Sequence, residues 1–152
     1  MFNEAPVVFN CSNEQLVGII HHTEEKSDIG VLIVVGGPQY RVGSHRQFIL
    51  LARKLAVNNI PVMRFDYRGM GDSSGSLRDF EDINTDIRSA IDVFISNRQG
   101  LEKIVIWGLC DAASAALFYA YTDDRVTGLV LLNPWARTEE GLNETHIQNY
   151  YY

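Results

Sequence analysis

The segment from Lys103 to Ala116, KIVIWGLCDAASAA, constrains this chain more than any other. Ile104, Val105, Ile106 and Trp107 form a short apolar run rich in β-branched residues, the composition of a strand buried on both faces. Gly108-Leu109-Cys110-Asp111-Ala112 interrupts that run, and Ala113 to Ala120 follow as strong helix formers. The expected layout is a strand, a tight turn and a helix, with a thiol at the centre of the turn. That is a nucleophile elbow, in which the usual G-x-S-x-G has Cys110 for the serine and Ala112 for the second glycine. Strand and helix backbones approach closely at such a turn, so small residues are required two positions before and after the nucleophile. Gly108 and Ala112 meet that requirement. A thiol placed there sits at a helix N-terminus, where the dipole and N–H groups favour the thiolate. The alternative reading is a buried structural cysteine, since free cysteine is among the most buried residue types.

The rest of the chain supplies a setting for that turn. Val7-Val8-Phe9 and Leu16 to Ile20, parted by Ser12-Asn13-Glu14, read as an antiparallel hairpin. His21 and His22 lack further ligands at metal-site spacing and are expected as surface histidines at a strand end. Val31 to Val35 is a strongly apolar strand that runs into Gly36-Gly37-Pro38-Gln39-Tyr40-Arg41-Val42-Gly43. This glycine-rich loop has neither G-x-G-x-x-G nor a Walker A lysine, which argues against a nucleotide. Ser44 to Gln47 has the form of a capping box, predicting a helix start with Phe48, Leu51, Ala52 and Leu55 as its buried stripe and His45 solvated in its first turn. Asn58-Asn59 ends it, and Ile60 to Phe65 is the next strand. Asp66 to Ser73, DYRGMGDS, is a sharp polar turn in which Arg68 and the two aspartates are expected to satisfy one another and the turn backbone. Gly69 and Gly71 are expected to supply backbone angles that other residues resist. Asp79 is placed as the N-cap of a helix with Phe80, Ile83, Ile87, Ile91 and Phe94 inward, and Asp82, Asp86, Arg88 and Asp92 on its other faces. After the elbow helix, Asp123-Asp124 makes a turn and Gly128 to Leu132 a final strand.

From Val31 to Leu132 strands and helices alternate, which implies a parallel sheet with right-handed crossovers and helices on both faces. In such sheets the working residues gather at the C-terminal ends of strands. Gly36-Gly37, Asp66 to Ser73 and Cys110 all fall at such ends.

Composition narrows the function classes. The chain has 152 residues, enough for one domain with a sizeable core, and 46% hydrophobic with 21% charged content is ordinary for a globular protein. A net charge of −6 argues against nucleic acid as the main partner. No apolar run reaches the length of a membrane span, and no secretory signal is visible at the N-terminus. Cys11 and Cys110 are the two cysteines, no disulfide framework, so a reducing cytoplasm is the expected compartment. No metal or organic cofactor is implied.

Together, Val35-Gly36-Gly37-Pro38, Asp66 to Ser73 and Gly108 to Ala112 resemble the α/β-hydrolase superfamily. More narrowly, GGPQYRVGSHRQF (Gly36 to Phe48), FDYRGMGDS and WGLCDAASAA are similar to the exosortase A system-associated hydrolases of bacteria, cytoplasmic proteins linked with exopolysaccharide and protein-sorting loci. The resemblance implies an α/β-hydrolase fold with Cys110 as nucleophile and two oxyanion-hole N–H donors, from Asp111 and from Gly37. Pro38 has no N–H to give. It also implies a small-molecule acyl substrate. Members place the triad acid and histidine after the nucleophile. His21, His22, His45 and His146 match no such position, so the chain reads as the N-terminal part of a longer hydrolase. Residues 1–135 would be an incomplete core, and 136–152 a polar tail where a lid or cap helix begins. The expected activity is hydrolysis of an ester, thioester or related acyl bond; a catalytically silent binding domain and an acyltransferase are the alternatives. Without later strands, Leu129 to Leu132 would be an apolar edge prone to association.

Overall fold

In the computed structural model, residues 3–37 and 39–134 are described, and the expected tail at 136–152 lies outside them. Strand β1 (Asn3–Cys11) turns back on β2 (Glu14–His22) in register from Asn3 opposite His22 to Cys11 opposite Glu14. Ser12 and Asn13, both at positive φ (49° and 68°), make the two-residue turn whose twist suits a hairpin. Beyond it come β3 (Ile29–Val34), α1 (Gln47–Val57), β4 (Val62–Asp66), α2 (Asn84–Ser96), β5 (Lys103–Leu109), α3 (Asp111–Ala120) and β6 (Val126–Leu132). The sheet order is β1-β2-β4-β3-β5-β6. The pairings β4·β3, β3·β5 and β5·β6 are parallel, and β2 joins β4 antiparallel. This is the α/β architecture expected from the alternation, with the hairpin extending the sheet at one side.

The sequence periodicity explains how the layers form. Along β3 and the residue after it, Leu32 and Val34 enter the larger core beneath α2 and α3, while Ile33 and Val35 enter the smaller one beneath α1. On α1, Phe48, Ala52 and Ala56 are buried and Leu51 and Leu55 are partly so, as the stripe predicts. Phe48 meets Trp107 of β5 edge to face at 5.5 Å, which locks α1 to the parallel sheet. Ile87, Ala90, Ile91 and Phe94 of α2 are completely buried.

The chain runs from β3 outward to β4 and then crosses back to β5 on the other flank of β3. The strand order therefore reverses between β3 and β5, the place where open α/β sheets form a crevice.

Several local expectations are corrected. The capping box at Ser44 does not form: Ser44–Arg46 is a 3₁₀ turn with His45 and Arg46 at positive φ, and α1 begins at Gln47 with no side-chain cap. The Gln47 side chain instead reaches Gln39 Oε1 at 3.2 Å. His45 is exposed there, as expected. Asp79 precedes a 3₁₀ turn (Phe80–Asp82) without a side-chain cap bond, and α2 starts later, at Asn84. His21 is not a surface residue. It is fully buried because β2 is flanked by a strand on each side, and its Nε2 accepts a hydrogen bond from Arg64 Nε of β4 at 2.9 Å.

Candidate active site

Cys110 is the single residue between β5 and α3. Its φ of 53° and ψ of −119° are a conformation that L-residues avoid, and it persists only where the surroundings over-determine it. Those surroundings are visible. The Cys110 N–H donates to the Leu132 carbonyl of β6 at 2.8 Å, and its own carbonyl accepts the N–H groups of Ala113 and Ser114 at 2.9 and 3.2 Å. The residue is thus clamped between the end of β6 and the first turn of α3. Its side chain is exposed, which goes against the buried structural reading; the buried cysteine is Cys11.

The requirement for small residues is met as expected. A Cβ at Gly108 would lie 2.5 Å from the Ala112 carbonyl oxygen, and Ala112 is itself completely buried. Gly36 has the same duty, which sequence reading did not assign: its Cβ would lie 2.5 Å from the Leu109 carbonyl and 2.7 Å from the Ala112 nitrogen. The loop after β3 therefore rests directly on the elbow. Gly37 follows with φ 63° and open space where a side chain would be.

A cleft of about 380 Å³ opens beside this junction, and Gly37 and Asp111 both line it. The structure thus brings the two expected oxyanion-hole residues to one cavity, with Cys110 adjoining through Asp111. The remaining walls come from the segment after β4: Tyr67, Met70, Leu77, Arg78, Asp79 and Phe80. Sequence reasoning did not single these out as cleft residues. The available signal was that they follow directly from a strand's C-terminal end.

A polar framework holds the two loops. The buried Asp66 carboxylate accepts the Arg41 N–H at 2.6 Å, the Arg41 guanidinium and the Asp72 N–H at 3.1 Å. Arg41 also bridges to Asp72 Oδ2 at 2.6 Å, and its carbonyl accepts Arg64 Nη1 at 2.9 Å. Thus the loop carrying Gly37 is tied to the loop carrying Tyr67. The two aspartates satisfy the turn as expected, but Arg68 turns elsewhere. Its guanidinium pairs with Asp86 of α2 at 2.7 Å, and its N–H donates to the same carboxylate at 2.8 Å. Asp86 is therefore fully buried, contrary to its expected place on an outer face. Gly69 and Gly71 do adopt positive φ (78° and 52°).

None of the histidines among the described residues lines the cleft. Burial, followed by the neighbouring Arg64 charge, pushes the His21 imidazole down to about 4, so it is neutral at physiological pH. His146 lies outside the described residues. Among the described residues no group of three metal-binding side chains occurs, and no helix is long and apolar enough to cross a membrane.

The sheet order, the strained cysteine at the strand-to-helix junction and the crevice beside it define an α/β-hydrolase fold. Solved structures agree. The chain superposes on an esterase of Pyrococcus furiosus with a TM-score of 0.80 at 20% identity, covering 99% of this chain and 58% of that one. It also matches the esterase Est1E of Butyrivibrio proteoclasticus, solved with ferulic acid bound, with a TM-score of 0.73 at 18% identity, covering 84% of this chain and 52% of that one. The chain thus spans little more than half the length of these structures. It belongs to the hydrolase family described as serine aminopeptidase, S33, whose model matches residues 30–149. No curated protein matches the sequence.

Proposed function

We propose that this chain carries the nucleophile half of a cysteine-dependent acyl hydrolase. The observation that carries the reading is the backbone of Cys110: an exposed thiol held at φ 53°, ψ −119° immediately before a helix, with Gly36 and Gly108 packed against the backbone of Ala112 in that helix's first turn. The family description names a serine, and Cys110 occupies the position a serine would take in G-x-S-x-G. The Cys110 thiolate attacks the acyl carbonyl carbon, forming a C–S bond as the carbonyl π pair moves onto oxygen. The Gly37 and Asp111 amides stabilise that oxyanion, where such sites gain most. Collapse expels the alcohol or thiol with a proton, leaving a thioester. Water cleaves the thioester, releasing the acid and restoring the thiol. Proton transfer is assigned to an imidazole from outside residues 3–134, since the described histidines stand away from the cleft.

The substrate class is an ester, thioester or related acyl compound of small size, and the two structural neighbours, an esterase and an esterase solved with ferulic acid bound, support it. The resemblance of Gly36 to Phe48 and of the elbow segment supports a cytoplasmic place beside an exosortase and exopolysaccharide system. A silent binding domain is the second reading, favoured by the lack of an imidazole in the cleft among the described residues. Acyl transfer would use the same residues with another acceptor in place of water. Thiol-directed acyl probes should label Cys110, and Cys110→Ala should abolish labelling and turnover together. Turnover that survives the substitution eliminates Cys110 as the nucleophile.

A further inference from the structure

One donor in the cleft is left without work by that chemistry. Tyr67 follows Asp66 at the end of β4, lines the cleft with Gly37 and Asp111, and is only 4% exposed. Buried tyrosine hydroxyls usually find a partner. This one makes no hydrogen bond with any described residue, although its oxygen is not sealed from the cleft. Burial, then the charges of Asp111, Asp79 and Asp86, push its pKa up to about 12, so the hydroxyl keeps its proton at working pH. It can therefore act there as a donor.

The neighbouring walls limit what it can bind. Met70, Leu77 and Phe80 present apolar surface that suits the hydrocarbon part of an acyl group. The amides of Gly37 and Asp111 are assigned to the scissile oxygen. The phenol is then a neutral donor open to a further acceptor.

Resting on the acyl-substrate reading above, we propose that the Tyr67 hydroxyl is a specificity-determining donor for an oxygen on the acyl portion of the substrate, an ether, hydroxyl or keto oxygen beyond the scissile carbonyl. A purely hydrocarbon acyl group entering the cleft would leave the phenol unsatisfied. A site built to hydrogen-bond a substrate discriminates against an analogue that lacks the matching group.

The test uses ligands that bind without reacting, so it does not depend on the nucleophile. The 4-nitroanilides of methoxyacetic and butyric acid differ by one ether oxygen in place of a methylene. Their affinities are measured by calorimetry on the 152-residue chain carrying Cys110→Ala, with and without Tyr67→Phe. The methoxyacetyl compound should bind about two- to tenfold more tightly, the range of one neutral hydrogen bond, and Tyr67→Phe should erase that preference. Tyr67→Phe should also leave the melting temperature unchanged or higher, because it removes a hydroxyl that no described residue satisfies. A preference that survives Tyr67→Phe, an equal loss for both ligands, or no binding of either overturns the proposal. So does a fall of several degrees in melting temperature, which would reveal an internal partner. Failure of Cys110 as nucleophile would appear separately, in the labelling experiment.

Discussion

Replacing Gly108 by alanine tests the elbow at its tightest contact. The added Cβ would lie 2.5 Å from the Ala112 oxygen, 2.6 Å from its carbonyl carbon and 2.7 Å from the Ala113 nitrogen. All three are backbone atoms of the first turn of α3, so no side chain can rotate to make room. That turn is held by two hydrogen bonds to the Cys110 carbonyl, and Ala112 and Ala113 are completely buried. Relief must come from parting β5 and α3. Overpacking of this kind costs about 1–3 kcal/mol, and the rigid partners place Gly108→Ala in the upper part of that range. Removing a glycine from a strand offsets about 0.5–1 kcal/mol. A net loss of about 2 kcal/mol corresponds to roughly 4–8 °C in melting temperature for a chain of this size. Gly100→Ala is the control: with φ 87° and nothing within 4 Å, it meets only a conformational cost of about 1–2 kcal/mol. Thermal and urea unfolding followed by circular dichroism give both values, and acyl labelling of Cys110 reports the elbow itself. Gly108→Ala should lose labelling while Gly100→Ala keeps it. Stability within about 0.5 kcal/mol of the parent, with labelling intact, would refute the close-packing argument.

Three further outcomes follow from buried polar groups and the sheet edge. His21 has its folded-state pKa lowered from 6.5 to about 4, so below pH 6.5 the unfolded chain takes up a proton that the folded one refuses. Stability should therefore fall as pH drops from about 6.5 toward about 4, by up to about 1.4 kcal/mol per unit. His21→Gln, which keeps an acceptor for Arg64, should flatten that part of the urea-midpoint profile; an unchanged slope would show that His21 is not its source. Asp86→Ala leaves the Arg68 guanidinium buried without its carboxylate and should cost about 3–5 kcal/mol in urea unfolding, whereas a surface role for Asp86 would cost almost nothing. Among the described residues β6 pairs only with β5, and Val130 and Leu132 are 43% and 39% exposed. The 152-residue chain should therefore self-associate in sedimentation experiments, and a stable monomer would contradict that.

Much of the fold was legible because it depends on local pattern. Ile104 to Trp107, the glycine at 108 and the alanine-rich run after Asp111 specify strand, turn and helix within one short segment. The β-branched run at Val31 to Val35 and the stripe of α2 are similarly local signals. What sequence did not reveal depends on partners far along the chain. His21 is buried because β4, more than forty residues later, supplies Arg64 at 2.9 Å. Asp86 lies on a polar position of its helix by spacing, yet Arg68 draws it inward. Gly36 has its role only because the elbow comes to rest on it. Tyr67, Met70 and Leu77 to Phe80 become cleft walls beside Asp111 through the crossover that sets β5 beside β3. The helix starts at Gln47 and not at Ser44 because loop geometry around Gly43, with Arg46 at positive φ, overrides a favourable capping sequence.

For the proposed role of Cys110 as nucleophile, Cys11 is a built-in reference because it is buried and lies outside the cleft. The most direct measurement is to mix the protein with p-nitrophenyl butyrate, quench at short times, and locate the acyl group by peptide mass spectrometry. One butyryl group is expected on the peptide containing Cys110, none on the peptide containing Cys11, and no adduct in Cys110→Ala. A butyryl group found elsewhere, or an adduct unaffected by that substitution, would contradict that role.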